Sequence, residues 1–201
     1  MYQKGEERRE AILRGTLRVI GAHGADAVTH RAVAAEAGVP LSATTYYFGS
    51  KEQLLQQSLL LAALEETERI ERVVLDLAPR SLSVGEWADA VAGVVGTSVR
   101  EDPATQVALF ELGLESTRTP ALRAELADWQ TAHLRLAEMG CRAVGSDEPA
   151  LDATLVVAAI AGLMLQQLAS DAPDFEEAVL RPALERLFER IASGERPALA
   201  V

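Results

Sequence analysis

Residues 29–53, Thr-His-Arg-Ala-Val-Ala-Ala-Glu-Ala-Gly-Val-Pro-Leu-Ser-Ala-Thr-Thr-Tyr-Tyr-Phe-Gly-Ser-Lys-Glu-Gln, leave this chain little choice of structure. Thr29 is a good helix N-cap, and Ala32, Val33, Ala34, Ala35 and Ala37 make a small-residue helix that packs closely on its neighbours. Gly38 suits the left-handed conformation that ends such a helix. Val39 offers an apolar plug, and Pro40 opens a second helix, where its missing N–H is not needed. Two short helices about a glycine turn form the helix-turn-helix pattern, whose second helix enters the major groove of DNA.

That second helix, Leu41-Ser-Ala-Thr-Thr-Tyr-Tyr47, is uncharged and rich in hydroxyls. Ser and Thr hydroxyls reach base edges or phosphates, Thr and Ala methyls touch thymine methyls, and a Tyr hydroxyl holds a phosphate. Three of the nine aromatic residues, Tyr46, Tyr47 and Phe48, are consecutive here. Phe48 reads as core, whereas Tyr46 and Tyr47 cannot both point inward from neighbouring helix positions. Ser50 and Gln53 form a capping box, which sets Lys51 at the positive end of a long helix, where phosphate binds. The predicted DNA contacts are therefore Thr29, His30 and Arg31 on the first helix, Ser42, Ala43, Thr44, Thr45, Tyr46 and Tyr47 on the second, and Lys51. For Thr29, a purely capping role competes with phosphate contact.

Thr29, Arg31, Ala34, Ala37-Gly38-Val39, Tyr46-Tyr47-Phe48 and Ser50-Lys51-Glu52 resemble the N-terminal signature of TetR-family transcriptional regulators. The resemblance covers roughly residues 8–55. It implies an all-α protein with an N-terminal three-helix DNA-binding domain, residues 1–50, and a larger helical effector-binding and dimerisation domain, residues 51–201. It further implies a homodimer on double-stranded operator DNA, released by a small-molecule effector, and so a repressor more readily than an activator. Thr44 and Thr45 stand where the family commonly has an aliphatic residue and a Tyr, and Pro40-Leu41 replaces a more usual Ser-Lys pair. The operator sequence therefore does not carry over by analogy.

With 201 residues, 49% apolar but only 4% aromatic, the chain has ample core material, mostly Ala, Leu and Val, as in closely packed helices. The single cysteine, Cys141, excludes an internal disulfide, fits a reducing cytoplasm, and reads as a small buried residue rather than a redox sensor. The first ten residues hold no apolar stretch for a signal peptide. The longest apolar run, Leu155–Leu165, is shorter than the ~20 residues that span a bilayer, so it reads as a buried helix and no membrane is expected. The net charge of −11 is unevenly spread: residues 1–51 carry seven Lys/Arg against five acids, net +2, and the remainder twelve against twenty-five, net −13. Such asymmetry sets one end of the chain toward an anionic partner, and +2 is weak enough that a dimer must double the footprint.

Apolar periodicity predicts a first helix over 6–22, with Leu13, Leu17 and Ile20 inward and Arg8, Arg9, Arg14 and Arg18 mostly outward. A long helix runs from Lys51 to about Leu77, then Pro79-Arg80-Ser81-Leu82 forms a loop. Ser83 and Glu86 make a second capping box for a helix to about Arg100. Further helices run from Asp102-Pro103 to Ser116, from Thr119-Pro120 to Val144, from 149 to 169, and on to Ser193, with Pro182 kinking or restarting the last. Trp87, Phe110, Trp129, His133, Met139, Met164 and Gln167 are spread over four different helices and are the candidates to line an effector cavity, ordinary core packing being the competing reading for each. The family resemblance carries that assignment more than the spacing does. The last two helices hold more apolar face than a small domain needs, so Val156, Ile160, Leu163, Leu180, Leu184, Leu187, Phe188 and Ile191 are expected in a dimer interface. There is no glycine-rich phosphate loop, no nucleophile elbow and no Cys-x-x-Cys pair, and His23, His30 and His133 lack metal-ligand spacing. Neither an enzyme nor a metal or cofactor is expected. The alternative is a helical ligand-carrying or interaction module whose helix-turn-helix is only structural.

Overall fold

The computed structural model describes residues 2–77, 80 and 82–194, with side chains from residue 5 onward. Among the described residues there are nine α-helices and no strand: α1 (Tyr2–His23), α2 (His30–Glu36), α3 (Leu41–Tyr47), α4 (Lys51–Leu77), α5 (Val84–Glu101), α6 (Pro103–Glu115), α7 (Arg123–Ala143), α8 (Pro149–Ser170) and α9 (Arg181–Ser193). The all-α expectation holds. Helix α1 starts earlier than its apolar spacing indicates. Of the predicted loop, Pro79 and Ser81 lie outside the described residues, and Arg80 Nη2 donates to Asp76 Oδ2 at 2.8 Å.

The helix boundaries follow local chemistry. Thr29 Oγ1 accepts the Ala32 N–H at 3.1 Å, and Asp102 Oδ1 accepts that of Thr105 at 3.0 Å; a cap of this kind contributes about 1 kcal/mol. Gly38 has φ +66°, as its turn requires. The Ser83–Glu86 box is reciprocal: the Ser83 N–H donates to Glu86 Oε2 at 2.8 Å, and Ser83 Oγ accepts the Glu86 N–H at 3.3 Å. At α4 the box is shifted: Ser50 Oγ accepts the Gln53 N–H at 3.2 Å, but Gln53 Oε1 takes the N–H of Gly49 at 2.7 Å. Before α9 a π-helical turn spans Glu176–Leu180. Pro182 has no N–H for the carbonyl of Ala178, and a wider turn there relieves the missing bond.

The chain forms two compact units, one made of residues up to Glu66 together with Asp102–Trp129, the other of Thr67–Glu101 and residues from Gln130 on. This division differs from a cut at 50/51, because the first half of α4, α6 and the start of α7 share the first unit with α1–α3, and α6 packs on α1. The first unit's core joins Ile12, Leu13, Leu17 and Ile20 of α1 to Val33, Phe48, Leu54 and Leu59, and to Ala108, Leu109 and Leu112 of α6. Each fully buried large side chain contributes about 1.5–3 kcal/mol. Close approach is permitted at Gly21, where a Cβ would stand 2.9 Å from the carbonyl carbon of Ala104 and 3.0 Å from its Cα.

The second unit's core joins Ala88, Ala92 and Val95 of α5, Cys141, Ala153 and Val156 to Phe175, Leu180, Leu184, Phe188 and Ile191. Cys141 is buried as expected, and burial foremost, with Asp152 and Glu138 adding, pushes its thiol up to about 11, which keeps it protonated and inert. Arg100 Nη1 pairs with Glu176 Oε2 at 2.7 Å, and Arg181 with Asp89 and Glu177. Helix α8 departs from its expected burial. Only Ala153, Val156 and Gln167 are buried on it, and at 22 residues it is the one helix, among those described, long and apolar enough to cross a bilayer. Its apolar residues surround the axis, so one face packs on α5 and another is left open.

Gly21→Ala should lower unfolding free energy by about 1–3 kcal/mol, because backbone is what it meets. Gly93→Ala, with no atom within 4 Å of the new Cβ, should raise it by about 0.5–1 kcal/mol. Urea denaturation followed by circular dichroism checks both.

Candidate nucleic-acid interface

Residues that follow one another along α3 divide sharply by exposure. Tyr46 is 81% exposed and Leu41 45%, and Ser42 and Thr45 are exposed beside them. Positions 41, 42, 45 and 46 fall on one side of the helix. On the other side Phe48 is buried, and Tyr47 and Ala43 pack against the first unit's core. Tyr46 and Tyr47 meet edge to face, ring centroids 5.0 Å apart at 85°. The two tyrosines are not both inward: Tyr47 anchors α3 on the core, and Tyr46 rests against its ring while staying exposed.

Thr44 is a correction to the predicted contact set. It is fully buried, and its hydroxyl donates to the Leu41 carbonyl at 2.8 Å, with the His30 carbonyl at 3.4 Å. A side chain enclosed between α2 and α3 reads no base; it fastens one helix to the other. Ala43 likewise spends much of its methyl on the core. Thr45 remains outward, its hydroxyl turned toward the carbonyls of Ser42 and Leu41 at 3.3 and 3.4 Å.

The cationic groups are more occupied than their sequence positions imply. Arg14 pairs with Glu10 and Glu65 at 2.8 and 2.6 Å, and Arg18 with Glu36 at 2.6 Å. Arg9 Nη2 donates to Gln57 Oε1 at 2.6 Å, its guanidinium 5.6 Å above the Phe48 ring. Lys51 Nζ donates to the Asp26 carbonyl at 3.3 Å, with the Asp26 carboxylate 3.7 Å away. Thr29 and Arg31 are exposed and His30 half-buried at the start of α2, with His30 Nδ1 enclosed and unpartnered. Exposed pairs hold little energy, so a phosphate can draw Lys51 or Arg18 away from its carboxylate.

The remaining predicted residues are divided between the units. Phe110 and Trp129 belong to the first, and Trp87, His133, Met139, Met164 and Gln167 to the second. Trp87 is buried and its indole N–H has no acceptor. Gln167 Nε2 donates to the Ala172 carbonyl at 2.9 Å, while its buried Oε1 accepts nothing. Met164 packs on the second core and His133 is half-buried, but Met139 is exposed. Of the expected interface, Val156, Leu180, Leu184, Phe188 and Ile191 are buried in the chain's own core, and Ile160, Leu163 and Leu187 pack against it. The large apolar residues left outward on α8 are Leu151 (56% exposed), Leu155 (51%) and Leu165 (54%), with exposed Ala158 and Gly162 between them. A groove of about 320 Å³ beside them is lined by Ala159, Leu163, Ala183, Leu184 and Leu187, with Arg186 and Arg190.

Residues 12–57 match the family model described as bacterial regulatory proteins, tetR family, and residues 82–190 the one described as tetracyclin repressor-like, C-terminal domain. The HTH-type transcriptional regulator BetI of Rhizobium meliloti (strain 1021) is 31% identical over 172 residues, covering 83% of this chain and 80% of the relative. Among solved structures, a TetR-family protein of Streptomyces coelicolor A3 is similar at 33% identity and TM-score 0.68, covering 90% of this chain and 98% of that one. The multidrug binding protein EbrR complexed with ethidium is similar at 34% identity and TM-score 0.64, covering 90% and 98%.

Thr44→Val should lower stability by about 1 kcal/mol through its lost hydrogen bond. Tyr46→Ala should leave it within about 0.5 kcal/mol, as an exposed position does. Thermal or urea unfolding of the two variants separates fastening from reading.

Proposed function

This chain belongs to the TetR family of bacterial transcriptional regulators, and from that premise we propose that it holds a pseudo-palindromic operator as a homodimer and represses until an effector releases it. TetR-family regulators bind operator DNA and small-molecule ligands and act as dimers. The observation that carries the proposal is the outer face of α3, Ser42, Thr45 and Tyr46, held rigid from beneath by Thr44, Tyr47 and Phe48. Thr29, Arg31 and Lys51 are assigned to flanking phosphates, His30 to shaping the start of α2. In this reading residues 1–50 remain the DNA-contacting segment and 51–201 carry effector binding and dimerisation, with the cytoplasm as the place of action.

The effector assignment rests on two buried polar atoms without partners, the Trp87 N–H and Gln167 Oε1, which a small polar molecule would satisfy. His133, Met139 and Met164 are kept as its apolar and hydrogen-bonding surroundings, and Phe110 and Trp129 as candidates in the first unit. EbrR has been solved with ethidium, proflavin and malachite green. The acidic remainder of this chain, net −13, supports testing such aromatic cations here first. An effector of any class acts only through its different affinity for the operator-competent and released states.

The partner surface proposed is on α8, as expected for Val156, Ile160 and Leu163, but on the side those residues leave open. Leu151, Leu155, Ala158, Gly162 and Leu165 recur at spacings of four and three, the seam along which two helices pack. Small residues at 158 and 162 let a second copy approach closely, and the apolar groove lined by Leu163 and Leu187 continues the same surface.

Selection from a random duplex pool at ~50 and ~200 mM salt should recover a palindrome with half-sites one turn or a multiple apart, ~34–36 Å per turn, bound more tightly at the lower salt. Tyr46→Ala should weaken binding at least tenfold, and ethidium added to the DNA-free wild type should raise its unfolding temperature. Recovery of nothing at either salt favours the interaction-module alternative instead. Ala158→Glu should give a helical monomer by light scattering at micromolar concentration, and a persisting dimer would reject α8 as the seam.

A further inference from the structure

We propose that Leu41 is a specificity-determining residue that reads a thymine C5-methyl in each operator half-site. The assignment rests on the DNA-binding reading above and deepens it to one side chain and one chemical group. On a face otherwise made of hydroxyls, Leu41 is the lone aliphatic side chain, 45% exposed, and it shares that face with Ser42, Thr45 and Tyr46. Leu41 is not among the side chains packed on the first unit's core, which takes Tyr47 and Ala43 from this helix, and α3 is fastened by Tyr47 and the Thr44 hydroxyl. In the major groove the thymine methyl is the apolar feature of the base-pair code.

The other methyl donors on α3 are less well placed for it. Ala43 packs on the core and Thr44 is buried. Thr45 is exposed, and its hydroxyl lies toward the carbonyls of Ser42 and Leu41; this makes its own methyl the competitor that the test must exclude.

The probe is the operator recovered by selection, with each thymine replaced in turn by deoxyuridine, which removes the methyl and keeps base pairing and the O4 acceptor. Wild-type protein should lose about fourfold in affinity at one thymine per half-site, the effect of one buried methyl-sized group, and about fifteenfold when both half-sites are changed. Leu41→Ala should bind the unmodified operator as weakly as wild type binds the doubly changed one, and should show no further loss with deoxyuridine. Leu41→Met, which keeps an apolar tip, should retain the sensitivity. Equal affinity of Leu41→Ala and wild type for the doubly substituted operator shows the variant folded. No methyl-sensitive thymine in wild type, or a penalty that survives in Leu41→Ala, overturns the assignment to Leu41 and leaves the regulator reading intact. Failure to select any operator overturns both.

Discussion

A helix of seven residues does not persist in water on its own, since nucleation costs more than so few hydrogen bonds return. Both α2 and α3 are that length, so the reading surface exists only because Val33, Phe48 and their neighbours are buried beneath it. The Thr44 hydroxyl adds a directional tie between the two helices. Everything presented outward, Tyr46 above all, has its position fixed by what is hidden below.

Electrostatics works around that scaffold and not through it. Arg14, Arg18 and Lys51 each have a carboxylate partner in the free chain, and such exposed pairs are nearly neutral in energy. In the proposed DNA-bound state they would act as placeholders: the cations are held in place, and Glu36 or Asp26 would yield to a phosphate. The weak net charge of the DNA-contacting segment therefore understates its capacity for phosphate, because several of its acids are neighbours of the very cations at issue.

Much of this was legible in the sequence wherever the signal was local. Thr29, Gly38, Asp102 and the Ser83–Glu86 box announced their helix ends, because capping involves residues three or four apart. Exposure on α3 was not legible at single-residue level: Thr44 and Thr45 are chemically alike, and only the rotation of the helix on the core tells them apart. The apolar stripe of α9 looked like an interface because a stripe facing its own core and one facing a partner have the same period. Helix α8, apolar all round, gave no sign of which side stayed open. Nor does a linear boundary at residue 50 anticipate that Asp102–Trp129 returns to the first unit, since that packing joins positions far apart in the chain.

At Gly21 the backbones of α1 and α6 touch with no side chain between them. The DNA-reading segment is thus shaped to its own α6 as a key to one lock. Grafting in a head with any residue larger than glycine at that crossing would wedge the two helices apart. Here the exchangeable module is a discontinuous one: a head travels between relatives only together with the turn around Ala104 that it was fitted to.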